Sequence, residues 1–380
     1  MLESTAGLDP ARYRVNETKL LTPVLVIYPA VVRHNIDRMI AVMGGEPGRW
    51  RPHLKTAKLG YVMKMLVEAG VTTAKCATTL ELLTACEAGF QDVLVAYPHM
   101  GRNAERVAAI AAAYPHVKVS AIVEAKEQIR DWMNTPVDLF IDINTGMNRT
   151  GIERDQAEIL TELASAIQAA GLRFRGLHFY DGNSAEPDLA ERSKRAHARY
   201  DDLLQLIAAA ETESVHIKEV ITAGTPAVPC ALSYPGLWNA SFTHQLSPGT
   251  VIYNDASSLA QLPESYDLKP AALVISQVVS HPKPDVVTCD AGHKSVSVDS
   301  GVPNCLVLGK GELRALKPSE EHLPFAISDS ARQPPLGELL YLLPRHICPT
   351  VNNYDWAAIV ERGAVTSVER VSARGHEGPV

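Results

Sequence analysis

A chain of 380 residues outgrows a single hydrophobic core, so one domain of roughly 230 to 250 residues plus a smaller one is expected. Hydrophobic residues make up 46% and charged residues 21%, as in ordinary soluble globular proteins, and a net charge of -7 excludes the basic footprint of a nucleic-acid binder. Met1 to Thr18 lacks a basic stretch followed by an apolar one, no apolar run reaches the ~18 residues of a membrane span, and Cys76, Cys86, Cys230, Cys289, Cys305 and Cys348 form no Cys-x-x-Cys pair, so a cytoplasmic protein with reduced thiols is expected.

In chain order, Leu21 to Tyr28 reads as a strand, and Val32, Ile36, Ile40 and Met43 then recur at helical spacing. Arg51 to Lys55 follows a glycine-rich loop and precedes a helical stretch ending at Gly70, so it reads as a strand with a lysine at its carboxyl end. Strands are expected at Thr73 to Thr78, Asp92 to Tyr97, Val117 to Val123, Val137 to Ile143, Phe174 to Tyr180 and Glu219 to Ala223. Helices fill the intervals, and those ending in Glu-Ala-Gly stop at Gly70 and Gly89, since glycine accepts the left-handed conformation of a helix end. Eight strands alternating with helices imply parallel βαβ units closed as an α/β (β/α)8 TIM-like barrel. An open doubly wound sheet is the rival, disfavoured because no Gly-x-Gly-x-x-Gly follows the first strand. After Asp255 helical periodicity is lost and short apolar segments alternate with Pro, Gly and charged turns. The expected division is a barrel over 20–255 and a β-rich domain made of 1–19 plus 256–380.

Reacting groups of such barrels sit at the carboxyl ends of strands. Lys55 occupies such an end, where partial desolvation leaves an amine able to form a Schiff base. Arg149 lies in a tight turn flanked by Gly146 and Gly151, and Tyr180 closes another strand. Gly224 with Thr225, and Gly249 with Thr250, free backbone N–H groups after strands, which suits a phosphate. His346 and Cys348, if extended, point to one face and could share a metal, with nitrogen plus sulfur favouring zinc. A buried cysteine beside a hydrogen-bonded histidine is the other reading of that pair.

Together these residues resemble the D-threonine aldolase and D-serine dehydratase family of pyridoxal-phosphate enzymes. The most specific stretches are Arg51-Pro52-His53-Leu54-Lys55-Thr56, Asp290 to Ser295 with Asp299, His346-x-Cys348, and Val371 to Gly375. The resemblance implies an alanine-racemase-like barrel with a β-rich domain carrying the metal ligands, and a homodimer. It implies that Lys55 forms the Schiff base with pyridoxal phosphate, that Arg149 faces the pyridine nitrogen, and that Tyr180 lies beside the cofactor. Gly224, Thr225, Gly249 and Thr250 match the phosphate site, and His346 and Cys348 the metal pair, so Lys55 and His346 are the expected catalytic residues. Aldolases of the family commonly carry His-x-Asp, whereas the zinc-dependent dehydratases carry His-x-Cys; the cysteine favours zinc over manganese or magnesium, and dehydration of a β-hydroxy-D-amino acid over retro-aldol cleavage. An amino-acid racemase and a non-catalytic cofactor carrier remain as alternatives.

Overall fold

The computed structural model describes residues 7–16, 20–184 and 186–378. The chain divides into two compact units: one takes the residues up to Met39, Thr56–Val62 and Thr250–Gly375, the other Ile40–Lys55, Met63–Gly249 and the residues from His376 on. Strands are numbered along the chain: β1 (Val24–Ile27), β2 (Thr73–Cys76), β3 (Asp92–Val95), β4 (Lys118–Val123), β5 (Asp138–Asp142), β6 (Phe174–His178), β7 (Glu219–Thr222) and β8 (Thr243–Leu246). After them come β9 (Ala272–Lys283), β10 (Val286–Cys289), β11 (Cys305–Val307), β12 (Leu313–Ala315), β13 (Leu323–Ile327), β14 (Leu339–Pro344), β15 (Trp356–Glu361) and β16 (Ala364–Arg370).

In the second unit β2 to β8 form a parallel sheet whose spatial order is the chain order. Most of these strands are buried on both faces, as parallel strands covered by helices must be. The helix Thr79–Ala88 illustrates the local code: Thr78 and Glu81 form a capping box at its start, and Gly89 ends it in the left-handed region. The two edges of the sheet meet through the lysine segment. Trp50 bridges Leu246 and His53 bridges Lys75, both in parallel. The Arg51 amide donates to the Leu246 carbonyl (2.8 Å), the Leu54 amide to Lys75 (2.7 Å), and the Lys75 amide to Pro52 (2.9 Å). Pro52 has no N–H to give, so this stretch stays a bridged stave short of a full strand, and it closes the ring.

The ring keeps its expected eight members, but not the expected set. The strand expected at Leu21 to Tyr28 is β1, which lies in the other unit, antiparallel to β9 and parallel to β15. A strand buried on both faces reads alike in either sheet. The missing member is β8, Thr243-His244-Gln245-Leu246, whose polar centre conceals a buried strand. The span 20–255 expected for the barrel therefore differs from the observed unit at both ends, and residues 1–6 and 17–19 of the expected arm lie outside the described residues.

The other unit is built on a mixed sheet in the order β12-β13-β10-β9-β1-β15-β16, with β14 pairing β9 and β11. Its core gathers Val274, Val287, Cys289, Leu323, Phe325 and Leu342. All six cysteines are buried and none forms a disulfide, and no helix among the described residues is long and apolar enough to cross a membrane.

At the amino-terminal end of the ring, Arg51 and Arg175 are buried among carboxylates. Asp92 accepts from Arg51 (2.8 Å) and Arg175 (2.7 Å), and Glu219 accepts from Arg175 (2.6 Å). Burial alone would raise the Asp92 carboxyl, but the two guanidinium groups outweigh it and hold it well below the usual carboxylate range. A carboxylate depressed in this way stabilises the fold above its unfolded pKa, and that contribution is lost as the pH falls. Arg175→Met should therefore cost about 1.5–3 kcal/mol near neutral pH by removing the charged hydrogen-bond partner of two half-buried carboxylates, Asp92 keeping Arg51. In urea titrations the gap to the wild type should narrow as the pH falls below ~4, where Asp92 begins to protonate in the unfolded chain.

Candidate active site

Within the barrel unit the site is arranged around Tyr180, two residues beyond the end of β6. Lys55 Nζ lies 5.6 Å from the centre of its ring, Lys75 Nζ 4.7 Å and the Arg149 guanidinium carbon 5.5 Å. Arg149 is delivered by a loop built on Asn144, whose side-chain oxygen accepts from the amides of Gly146 (2.9 Å) and Asn148 (3.1 Å). Gly151 closes that loop at φ +98°, where a Cβ would stand 2.5 Å from the Asn144 nitrogen. The Tyr180 ring rests against two glycines: a Cβ on Gly182 would meet it at 2.4 Å and one on Gly224 at 3.0 Å.

Lys75 comes from the middle of β2 and is buried. Its amine donates to Ser247 Oγ (2.7 Å) and contacts His178 Nε2 (3.2 Å), while His178 Nδ1 contacts Asp142 Oδ1 (2.7 Å). In the tautomer whose Nδ1 donates to Asp142, Nε2 accepts from Lys75. Burial above all, then Lys55, pushes the Lys75 ammonium down to about 7. Burial likewise lowers His178, with Lys75 adding to the effect.

Gly224 begins a helical stretch, Thr225–Ala227 followed by Val228–Leu232. Its own amide is engaged, donating to Asp181 Oδ1 (3.2 Å), while Tyr200 donates to Asp181 Oδ2 (2.5 Å). Gly224 therefore serves by lacking a side chain, and Thr225 is the nearer candidate to hold an anion. Ser247 Oγ donates to the Thr222 carbonyl (3.1 Å), tying the turn after β8 to the turn after β7. Three cations at one ring, with Asp142 already engaged by His178, form a pocket complementary to an anionic aromatic cofactor, and pyridoxal phosphate fits that description.

In the sheet unit His346 and Cys348, expected to share a metal, take a shape that the sequence did not indicate. His346 is extended (φ −132°, ψ 108°), but Cys348 lies in the first turn of a short helix, Ile347–Val351, so the pair is not two positions of one strand. Pro349 is compatible with this first turn, where its missing N–H costs nothing. Asp299 Oδ2 lies 2.6 Å from His346 Nδ1, so Nε2 is the nitrogen turned away from that carboxylate. Burial alone would lower His346, but Cys348 and Asp299, with Asp255 behind them, outweigh it and hold it at about 9. Cys348 is buried, its sulfur 2.9 Å from Thr56 Oγ1 and 3.7 Å from Thr250 Oγ1. The Ile347 amide donates to Asp255 (3.0 Å), a buried carboxylate that also caps the helix Ala256–Gln261. A histidine whose second nitrogen is held by a carboxylate, next to a thiol, is a suitable pair of metal ligands. Among the described residues no third His, Cys, Asp or Glu joins them.

Lys55, Arg149, Tyr180 and Gly224 thus gather at one ring, Thr225 follows in the adjoining turn, and Gly249 trails β8. Thr250, expected at the phosphate, places its hydroxyl beside Cys348. Of the family-like stretch, Asp299 reaches His346, while Asp290 is occupied by Ser276 (2.6 Å), Thr22 (2.5 Å) and the Gln277 amide (2.9 Å), and His293 is exposed. Lys75 lies within β2, while Asp142 and His178 are the last residues of β5 and β6, and only closure of the ring brings the three together.

A sequence model of the alanine racemase N-terminal domain matches residues 27–256. The chain belongs to that family. A model described as a putative serine dehydratase domain matches residues 271–360. This alanine-racemase-like chain is 28% identical to a 3-hydroxy-D-aspartate aldolase of Paracoccus denitrificans (strain Pd 1222), covering 97% of the chain and 96% of that protein. It is 24% identical to a D-threo-3-hydroxyaspartate dehydratase of Delftia sp. (strain HT23), over 92% of the chain and 97% of that protein. The crystal structure of D-threonine aldolase from Filomicrobium marinum superposes with a TM-score of 0.85 at 28% identity, covering 96% and 99% of the two chains.

Removing the brace under the His346–Cys348 turn tests whether it is held as described. Asp255→Ala leaves the Ile347 and Ser258 amides without their acceptor and should cost about 2 kcal/mol in denaturant unfolding, with Asp255→Asn recovering part of it.

Proposed function

We propose that the protein is a pyridoxal-phosphate- and metal-dependent lyase acting on β-hydroxy-D-amino acids, and that its reaction is loss of water to give a 2-oxo acid and ammonia. The convergence of Lys55, Lys75 and Arg149 on Tyr180 carries the cofactor assignment. When bound, pyridoxal phosphate supplies an aldehyde that condenses with amines and a ring that takes up charge from Cα. Lys55 holds it through Nζ and, as a free amine, removes the α-proton. Arg149 contributes a permanent positive charge beside the ring, and Tyr180, seated on Gly182 and Gly224, fixes its plane. Thr225 and Gly249 offer donors for the phosphate.

His346 Nε2 and Cys348 Sγ would hold a divalent metal, zinc by the softness of the thiolate, and Asp299 would fix the imidazole for it. A metal held there would supply Lewis acidity that makes a hydroxyl a better leaving group. The Cβ–O bond then breaks, water leaves, and hydrolysis of the remaining enamine gives the oxo acid and ammonia. Six cysteines without a disulfide support a cytoplasmic setting, and the family resemblance supports a homodimer.

Retro-aldol cleavage is the second reading, favoured by the aldolase names of the relatives at 28% identity. The same residues would serve, with a base taking the hydroxyl proton and the Cα–Cβ bond breaking to glycine and an aldehyde. Product analysis separates the two. Reconstituted enzyme given D-serine, D-threonine and 3-hydroxy-D-aspartate should form a 2-oxo acid and ammonia, stop on chelation and recover with zinc. Glycine and aldehyde as the sole products would overturn dehydration.

A further inference from the structure

Lys75 has no part in the chemistry derived so far, yet its position is costly. A buried ammonium is disfavoured unless an anion pairs with it, and among the described residues no carboxylate bonds Lys75 directly. Its hydrogen-bond partners are two acceptors, Ser247 Oγ and His178 Nε2, and Asp142 lies one step further, behind the imidazole. An apolar residue in β2 would fill the barrel at lower cost. The charged groups around the amine are Lys55 and Arg149, which disfavour its ammonium, and Asp142 and Asp181, which favour it. Asp181 is itself buried and raised by that burial, so it offers a weakened counter-charge. Two bonds to acceptors leave one N–H of the ammonium free, 4.7 Å from the Tyr180 ring that Lys55 and Arg149 also approach.

We propose that Lys75 is a positioning residue for the cofactor: a buried cation, braced by Ser247 and by His178 on Asp142, that pairs with the negative charge of bound pyridoxal phosphate. This rests on the cofactor assignment above and deepens it. Condensation turns the Lys55 ammonium into an imine whose charge depends on its protonation, so a second amine beside the ring adds to Arg149 in balancing the anion. Burial and Lys55 bring Lys75 to about 7 without the cofactor, and an arriving anion stabilises the charged form. A barrel-filling lysine that merely braced the turn after β8 would stabilise the fold and leave the cofactor's properties unchanged.

The experiment uses holoenzyme and two variants, Lys75→Met, which keeps the length without the charge, and Lys75→Gln, which also keeps a donor for Ser247. Two quantities are read: the dissociation constant for pyridoxal phosphate, and the pH midpoint of the visible absorption of the bound cofactor. Removing a neighbouring cation makes the protonated imine easier to form, so the midpoint should rise by about one unit. Cofactor affinity should fall roughly tenfold or more, the loss of one charge-assisted contact. Either variant, folded by circular dichroism, with wild-type affinity and midpoint would overturn the inference while leaving the lyase reading intact. Should the wild type bind no pyridoxal phosphate, the lyase reading and this inference fall together.

Discussion

Two main-chain hydrogen bonds, from the Arg51 amide to Leu246 and from the Leu54 amide to Lys75, fix where Lys55 leaves the barrel wall. They join the first and last strands of a sheet that would otherwise present two open edges. Pro52 sits between them and keeps the stave short, so the chain turns away immediately after the closure. An amine on an unpaired loop would wander over several ångströms. Here its backbone is held by the strand pairing that closes the ring.

The two ends of the ring differ in charge balance. At the floor, Arg51 and Arg175 are matched by Asp92 and Glu219, and the group is saturated with short contacts. At the mouth, Lys55, Lys75 and Arg149 surround one tyrosine, Asp142 is engaged by His178, and Asp181 is committed to Tyr200 and the Gly224 amide. A saturated network rigidifies, whereas an unsaturated one attracts a ligand of opposite sign. In the sheet unit, Asp299 and Asp255 orient the His346 turn in a similar way.

Much of this was legible in the sequence where local chemistry decides the structure. Gly70 and Gly89 stop helices because they adopt positive φ, and the alternation they punctuate implies the barrel. Lys55, Arg149 and Tyr180 were legible as residues following strands, where barrels keep their chemistry. What resisted reading depends on distant partners. Val24–Ile27 looks like any buried strand until β9 and β15 are seen beside it, and Thr243–Leu246 looks too polar until His244 and Gln245 are seen to be buried. Lys75 lies in a strand expected from the sequence, but its burial depends on the closure of the ring around it. The His346-x-Cys348 spacing suggested a strand, but a helix beginning at Ile347 brings the two side chains together differently.

The central claim is that the amine held by this ring closure is the one that carries the cofactor. Reduction of the pyridoxal-phosphate-loaded protein with borohydride, followed by digestion and peptide mass analysis, tests it directly. A single phosphopyridoxyl adduct on Lys55 is predicted. An adduct on Lys75 or another lysine with Lys55 unmodified, or no adduct at all, would contradict it.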